Sequence, residues 1–288
     1  MEKISIFIPH IAQNNHLLKL NLPLIKKNLN PQKVYIAAAQ PALDDLSFLK
    51  DKTVALIDED SILPGLSFKT TQKLMEKAGL PVERTGWYFQ QFLKLGWALK
   101  DEDSPWYLSW DSDTIPVRPV SFFSDTGKPL FIKKTEFNPA YFETIEKTLG
   151  LKKNNDFSFI AEAMLFNKDF VKSMINTIEN NSAVQGNVFY EKILYAAAQS
   201  SFVQSAFSEF ETYGTYVSAC FPGSYEFKSS NGFRNGAKYV GLNPSSYDLQ
   251  RFARKYDIVS FERWNTIFKP FILLQKIYSF IYVKINKL

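Results

Sequence analysis

Short apolar segments alternate with stretches of helical periodicity through the first half of the chain. Four apolar segments predict buried strands: residues 4–8, 34–38, 53–57 and 106–110. Helices are predicted between them over 17–29, with an interruption at Pro23, over 69–77, with Ser67 as N-cap, and over 87–100. Strands separated by helices predict crossover connections and a mainly parallel sheet, and therefore an α/β fold.

The second half of the chain is less regular. Its periodicity predicts a strand over 130–133 and helices over 140–149, 168–179 and 188–198. Residues 223–241 are rich in Gly, Ser and Asn, which predicts a long surface loop. We expect one main domain over residues 1–263 and a separate segment over 264–288.

The C-terminal segment differs from the rest in composition and charge. Residues 251–288 carry a net charge of +6 and the remainder −1. On a helix, the four lysines of residues 264–288 fall within an arc of roughly 80°, with aromatic residues elsewhere, which is typical of a helix lying in a membrane interface. The alternative is a terminal helix docked on the protein core. The first interpretation places the protein at the cytoplasmic face of the cell membrane.

Composition excludes several classes of protein. The chain has 288 residues, of which 45% are hydrophobic, enough for a sizeable core. A lone cysteine, Cys220, excludes an intramolecular disulfide, fits a reducing cytosol and predicts a buried apolar residue. Only two histidines are present, which argues against a His-rich zinc site. No secretory signal, apolar membrane span or nucleic-acid-binding motif is recognisable.

Asp111 and Asp113 follow the apolar run 106–110 with one residue between them. The end of a buried strand is where a sheet opens to ligand, and two carboxylates there repel each other unless a cation neutralises them. Mg²⁺ takes one or two carboxylates and completes its shell with water and phosphate oxygens. The pair therefore predicts a metal site that holds a diphosphate. The alternative is a capped turn with structural carboxylates.

The motif Trp110-Asp111-Ser112-Asp113-Thr114, followed by Pro116 and Arg118-Pro119, resembles the metal-binding Asp-X-Asp motif of GT-A-fold glycosyltransferases. The ordered set that also includes residues 84–95, 159–166 and 208–214 is similar to bacterial transferases of capsule and surface-polysaccharide assembly. The resemblance implies a GT-A, Rossmann-like fold, a nucleotide-diphosphate sugar donor, Mn²⁺ or Mg²⁺ as cofactor and a glycan or lipid-linked acceptor. It implies no nucleic-acid partner.

The resemblance also implies roles for binding residues. Pro9 and His10 end the first strand, where such enzymes receive the nucleotide. Asp113 is implied as the direct metal ligand, with Asp111 on the ribose or on metal-bound water. Further candidates share a position after a strand or on the helix beside the aspartates: the cluster Asp58-Glu59-Asp60 for ribose or base, Arg84 and Lys94 for diphosphate or a sugar acid, and Gln90 and Gln91 for sugar hydroxyls. Each of these is equally explained as an ordinary surface residue.

Three carboxylates are candidates for catalysis. Glu162 stands alone in an apolar run, so its charge needs a partner or a raised pKa. Glu209 and Glu211 are two residues apart and point in different directions on a helix. In inverting GT-A enzymes a carboxylate near this place deprotonates the acceptor, which implies Glu211 with Glu209 in reserve. Residues 231–236 predict a mobile loop, and if it closed over the donor, Arg234 would stabilise the departing diphosphate; the alternative is a flexible surface loop without that role.

Two other functions fit parts of the pattern. A phosphohydrolase of the haloacid dehalogenase type also has two aspartates one residue apart, with Asp111 then the nucleophile. That motif normally lies near the N-terminus and has Thr or Val where this chain has Ile115. The other alternative is a non-catalytic sugar-binding or membrane scaffold protein. A late histidine supplies a metal ligand in many GT-A enzymes, and none follows His16.

Overall fold

The computed structural model describes residues 4–100, 104–266, 274, 277 and 278. The strands are β1 Ser5–Pro9, β2 Lys33–Ala38, β3 Val54–Asp58, β4 Trp106–Trp110, β5 Thr114–Pro116, β6 Leu130–Lys133, β7 Ala163–Asn167, β8 Glu226–Ser229, β9 Gly232–Phe233 and β10 Ile258–Ser260. The helices are α1 Asn15–Leu29, α2 Gln40–Leu46, α3 Phe68–Ala78, α4 Thr85–Gly96, α5 Pro139–Leu149, α6 Lys168–Glu179, α7 Phe189–Ala197, α8 Glu209–Cys220, α9 Gly236–Val240 and α10 Ser246–Ala253.

The central sheet has the strand order β3-β2-β1-β4-β7. The first four strands are parallel, and β7 pairs antiparallel with β4 at the edge. The predicted α/β fold with a mainly parallel central sheet is confirmed. Parallel strands have their carboxyl ends at the same edge of the sheet, so the residues that follow β1, β3 and β4 lie together at that edge.

Side chains of the sheet alternate between two apolar clusters, as a strand period of two requires. Phe7 and Tyr107 point into the larger cluster, which also contains Tyr88 and Phe92 of α4. Ile6, Ile8, Leu108 and Trp110 point into the other cluster, which also contains Leu18, Leu22 and Ile25 of α1. Helices therefore cover both faces of the sheet, which explains why the strands are apolar throughout.

Helix α1 continues through Pro23, where the sequence predicted an interruption. Proline removes one helical hydrogen bond, a cost that the packing of the apolar face of α1 against the sheet offsets. Two buried asparagines fix the helix to β5: Asn21 Nδ2 donates to Thr114 O at 2.6 Å and Asn28 Nδ2 to Pro116 O at 2.7 Å. These bonds hold the segment that follows the aspartates.

Two further predictions from the sequence are wrong. Residues 223–241 contain β8, β9 and α9 and are not one long loop, because β8 pairs with β6 and β9 with β10. Such long-range pairing leaves no periodicity in a segment this polar. Cys220 is exposed at the end of α8 and not buried. The helix predicted at 87–100 is α4, followed by a 3-10 turn over Trp97–Leu99.

The predicted membrane-interface helix lies almost wholly outside the described residues. The division into residues 1–263 and 264–288 therefore stays a prediction. Within the part of the chain that the structure describes, no helix has both the length and the apolarity needed to span a membrane.

Helix α8 packs closely against the segment before β7 at Gly214, where an added Cβ would collide with the ring of Phe159. We predict that Gly214→Ala lowers the free energy of unfolding by about 1–3 kcal/mol, the usual cost of overpacking a core. Gly86→Ala is the control, because its Cβ would lie 3.8 Å from Phe68 and a helical alanine is favoured over glycine by about 0.5–1 kcal/mol. Urea unfolding measures both. Equal stability of the two variants would contradict the packing shown for α8.

Candidate active-site cleft

A cleft of about 490 Å³ opens at the carboxyl ends of β1, β3 and β4. The residues that line it come from the loops after these strands, from α3 and α4, and from the segments after β9 and β10. They are Pro9, His10, Ile11, Asn14, Glu59, Phe68, Gly86, Trp87, Phe89, Gln90, Leu93, Asp111, Ser112, Asp113, Arg234, Glu262 and Trp264. The cleft thus brings together five of the predicted site residues: Pro9, His10, Asp111, Asp113 and Arg234.

The turn between β4 and β5 presents both aspartates. Thr114 N donates to Asp111 O at 3.0 Å and closes the turn, while Phe261 N donates to Asp113 O at 2.9 Å. In the middle of the turn, Ser112 Oγ accepts a bond of 3.3 Å from Asn14 Nδ2. The backbone around the two carboxylates is therefore fixed by residues from the loop after β1 and from the end of β10.

Lys94 lies buried beside this turn, between two carboxylates. Its Nζ donates to Asp111 Oδ1 at 2.7 Å and to Glu209 Oε1 at 2.8 Å, and its side chain is 3% exposed. Burial alone would lower the pKa of Lys94, but the Asp111 and Glu209 carboxylates outweigh it and raise that pKa above its usual value. The ammonium makes both of these bonds inside the protein, and Lys94 does not line the cleft. The structure therefore places Lys94 behind Asp111 and not at the cleft surface.

Gln91 and Glu209 complete this buried group. Gln91 Nε2 donates to Trp87 O at 2.9 Å, and Gln91 Oε1 accepts a bond of 3.1 Å from Glu209 N. Burial raises the pKa of Glu209 although Lys94 acts against it. Neither residue lines the cleft, and both serve to hold Lys94 in place.

Asp113 is half-buried in the cleft wall, and no described side chain forms a hydrogen bond or ion pair with its carboxylate. Burial, and then the neighbouring charges of Asp111 and Glu262, raise the pKa of Asp113 to about 7. Lys94 lowers this pKa only in part, because its ammonium pairs with Asp111 and Glu209, and net negative charge therefore remains around Asp113. A bound cation would relieve this repulsion.

Arg234 lines the same cleft as Asp113. Its Nη2 lies 2.7 Å from Glu262 Oε1, its Nη1 pairs with Glu136, and its Nε lies 3.8 Å from Glu162 Oε1. The loop of residues 231–236, predicted as mobile, contains β9 and the start of α9 and is held by these pairs. The guanidinium is thus positioned at the cleft by carboxylates.

The remaining predicted carboxylates lie outside the cleft lining. Glu162 is buried and accepts a bond of 2.9 Å from Lys134 Nζ. Glu211 Oε2 accepts bonds of 2.7 Å from Ser158 Oγ and 3.0 Å from Phe159 N. Glu209 and Glu211 do point in different directions on α8, as their spacing predicted. None of Glu162, Glu209 and Glu211 is among the residues that line the cleft, so a catalytic role for them stays a prediction.

Of the acidic cluster after β3, Glu59 lines the cleft, whereas Asp58 and Asp60 do not. Asp58 Oδ1 accepts a bond of 3.1 Å from Asp60 N, and Asp60 Oδ1 one of 3.1 Å from Phe68 N. Burial, followed by the charges of Asp60 and Asp58, raises the pKa of Glu59 to about 7. Arg84 is also placed outside the lining: its Nε donates to Gln204 O at 2.8 Å, and its guanidinium stacks 4.5 Å from the Trp87 ring centroid.

The donor set fits a divalent ion only with help from a ligand. Among the described residues, no group of three or more His, Cys, Asp and Glu side chains is close enough to hold a metal. No described side chain pairs with Asp113, and Asp111 keeps the oxygen that Lys94 does not engage. Two carboxylates completed by phosphate oxygens and water are a usual set for Mg²⁺, so the residues present fit an ion that binds together with a diphosphate.

The family model that covers residues 32–222 is described as a family of unknown function (DUF6492). The chain belongs to this family. The matched residues extend from β2 to the end of α8 and include the aspartate pair, Lys94 and Glu209. No curated protein matches the chain.

Several solved structures of glycosyltransferases are similar to this DUF6492 protein in chain path. The galactosyltransferase LgtC, solved with donor and acceptor sugar analogues, is 10% identical with a TM-score of 0.44 over 90% of this chain and 87% of its own. Mouse xyloside xylosyltransferase 1 is 10% identical with a TM-score of 0.43 over 93% of this chain and 100% of its own. The bifunctional glycosyltransferase WbbM is 13% identical with a TM-score of 0.45 over 92% of this chain and 46% of its own. Similarity this distant does not assign an activity.

Lys94 is the counter-ion of a buried acid, and we predict that Lys94→Met lowers the free energy of unfolding by about 3–5 kcal/mol, because it leaves Glu209 without a partner. The double variant Lys94→Met/Glu209→Gln should recover much of this loss, since it removes the stranded charge. Urea unfolding followed by tryptophan fluorescence measures both. A single variant within about 0.5 kcal/mol of the wild type, the range of ordinary surface substitutions, would contradict the buried pairing.

Glu59 makes stability depend on pH. Because its pKa is raised in the folded protein, its contribution is fully present below its ordinary value of 4.5 and is lost as the pH rises through about 7. We predict that Glu59→Gln gains about 1–3 kcal/mol relative to the wild type between pH 4.5 and 7.5. The exposed Glu76 on α3 is the control, and Glu76→Gln should show no such change. A pH-independent difference for Glu59→Gln would contradict the burial of Glu59.

Proposed function

We propose that this protein is a metal-dependent glycosyltransferase that moves a sugar from a nucleotide-diphosphate donor to a glycan or lipid-linked acceptor in bacterial surface-polysaccharide synthesis. The observation that carries the proposal is the unpaired Asp113 carboxylate beside Asp111 in a cleft of about 490 Å³ at the strand ends. A cleft of that size suits a ligand of nucleotide-sugar dimensions. The resemblance of the surrounding motifs to GT-A enzymes supports the reaction class.

Asp113 and the available oxygen of Asp111 would hold Mn²⁺ or Mg²⁺ in this proposal. When bound, such an ion supplies positive charge that stabilises a departing diphosphate. Lys94 acts on the protein side: it donates to Asp111 Oδ1 at 2.7 Å and fixes the orientation of that carboxylate from below the cleft. The bond from Asn14 to Ser112 fixes the turn that carries both aspartates.

Arg234, which lines the same cleft, is proposed to stabilise the diphosphate. Its guanidinium already lines the cleft, and a guanidinium pairs with phosphate oxygens as it does with a carboxylate, by charge-assisted hydrogen bonds. Glu262 and Glu136 hold the guanidinium there before a donor binds. The free energy needed to orient the Arg234 guanidinium is therefore spent when the protein folds and not during the reaction.

Glu162, Glu209 and Glu211, the carboxylates that the sequence predicts as catalytic, are proposed as positioning residues. Glu209 holds Lys94, and Glu211 orders the backbone at Ser158 and Phe159. Glu162 accepts from Lys134 through its side chain, and its backbone O accepts a bond of 3.4 Å from Asp111 N. Each thus acts on the cleft through another residue. An inverting outcome stays a prediction.

The mouth of the cleft supports a lipid-linked acceptor. Ile11, Phe68 and Trp264 line the cleft and are among the exposed large apolar side chains, with Trp264 74% exposed. Trp264 is also the first residue of the segment predicted to lie in the membrane interface. We therefore propose that the protein binds peripherally to the cytoplasmic leaflet, where anionic lipids attract the lysines of residues 264–288.

The test is turnover of nucleotide-diphosphate sugars with and without Mn²⁺. We predict that EDTA abolishes donor hydrolysis or transfer and that Asp113→Asn lowers kcat at least about 100-fold, the order of effect expected when charge stabilisation of a leaving group is lost. Glu76→Gln is the matched surface control. Undiminished turnover of Asp113→Asn would contradict the proposal. Hydrolysis of simple phosphate esters would favour the phosphohydrolase, and donor binding without turnover would favour the scaffold protein.

A further inference from the structure

A second pocket, of about 210 Å³, lies at the end of α8, and no described residue lines both this pocket and the cleft. Its walls come from the last turn of α8, the loop that follows, β6, β8 and the segment before β7. Nine residues of α8 separate Glu209, behind the cleft, from Ser218 in this pocket, which is about 14 Å at 1.5 Å per residue. The pocket is therefore a separate site, and it has less than half the volume of the cleft.

Four aromatic side chains line this pocket, and contacts inside the protein hold their rings in place. Phe131 stacks on Tyr225 with ring centroids 3.8 Å apart, and Phe227 lies 6.3 Å from Phe131. Phe221 stacks on Phe170 at 4.1 Å. Phe227 is nonetheless 46% exposed. A rigid apolar surface is thus available to a ligand before it binds.

Three polar side chains line the same pocket, and each has hydrogen-bonding capacity to spare. Ser218 Oγ is buried and has no hydrogen-bond partner within the described residues. Asn155 Nδ2 donates to Asn154 Oδ1 at 2.7 Å, and Ser224 Oγ donates to Phe221 O at 2.7 Å. The amide oxygen of Asn155 and the hydroxyl oxygen of Ser224 can still accept, whereas the hydroxyl of Ser218 can both donate and accept.

The combination of aromatic walls and neutral polar groups selects the class of ligand. An apolar chain would fit the walls but would leave Ser218 Oγ without a partner, which is unfavourable for a buried polar atom. An anion would find no cationic side chain, because none of the described residues that line the pocket is charged. A pyranose ring meets both requirements, since it has an apolar face of C–H groups and hydroxyls around its edge.

We propose that this pocket binds one hexopyranose residue of a glycan, with the face of the ring against Phe227 and a hydroxyl on Ser218 Oγ. The inference rests on the proposed function, because a glycan acceptor would bring such a residue to the protein. A glycan held here and at the cleft is bound at two points, and binding at one point raises its effective concentration at the other. The pocket would therefore retain a growing chain between transfers.

The test is binding of the methyl glycosides of glucose, galactose, mannose and N-acetylglucosamine, followed by saturation-transfer NMR. We expect at least one of them to bind the wild type. Ser218→Ala should weaken that binding about two- to tenfold, as loss of one neutral hydrogen bond does. Phe227→Ala should weaken it at least about fivefold, because it removes an apolar wall. Asp113→Asn should bind the glycoside as the wild type does, since the sugar lies outside the cleft.

Each test variant has a matched control. Ser200→Ala removes a hydroxyl oxygen that is likewise buried and unpaired among the described residues but lines neither the cleft nor this pocket. Phe137→Ala removes an exposed ring that lines neither. Both controls should bind the glycoside with wild-type affinity. Urea unfolding shows whether each variant is folded, and if Phe227→Ala is not, Ser218→Ala decides the outcome.

Wild-type affinity of Ser218→Ala and Phe227→Ala would overturn the inference. Absence of binding by all four glycosides would also overturn it, and binding of hexanol in their place would show an apolar site. The proposed function would still stand in these cases if Asp113→Asn abolished Mn²⁺-dependent turnover. Glycoside binding that depends on Ser218, in a wild type that turns over no nucleotide sugar, would support the pocket and contradict the proposed function.

Discussion

The buried ammonium of Lys94 is the interaction on which the arrangement of this cleft depends. It joins α4 to the end of β4 through Asp111 and to the start of α8 through Glu209. This one cation is shared by two carboxylates at 2.7 and 2.8 Å and forms no ion pair with Asp113. Asp111 is therefore neutralised, whereas the neighbouring Asp113 has no ion-pair partner among the described residues. Both lie in a turn whose backbone is fixed on both sides. Such a pair favours a mobile cation that arrives with an anionic ligand.

Local sequence patterns predicted the parts of the molecule that depend on local chemistry. The strands at 106–110 and 130–133 and the helix at 168–179 have the predicted bounds. Ser67 caps α3 by accepting from Thr70 N, as its type and position indicated. The aspartate pair was recognisable because a buried apolar run that ends in two carboxylates has few explanations. The positions of Pro9 and His10 followed from the end of a strand.

The roles of the other site residues depend on tertiary contacts that no local pattern contains. Glu211 and Glu209 are equivalent in the sequence, but α8 turns one toward Ser158 and the other toward Lys94. The sequence offers no reason to prefer Glu59 over Asp58 and Asp60 as a cleft residue. In the structure Asp58 and Asp60 accept backbone hydrogen bonds, and Glu59 lines the cleft. Glu262 and Trp264 reach the cleft because β10 pairs with β5, more than 140 residues away in sequence. A pairing at that distance could be found only from the folded chain.

The central claim is that Asp113 and Asp111 bind a divalent cation together with a diphosphate. A crystal soaked with Mn²⁺ and a nucleoside diphosphate tests it most directly, through the anomalous signal of the metal. The account predicts a manganese peak about 2.0–2.2 Å from an Asp113 oxygen, the range for small oxygen-bound divalent ions, with phosphate oxygens completing the shell. A nucleotide bound elsewhere, or a cleft whose aspartates contact only protein atoms under saturating ligand, would contradict it.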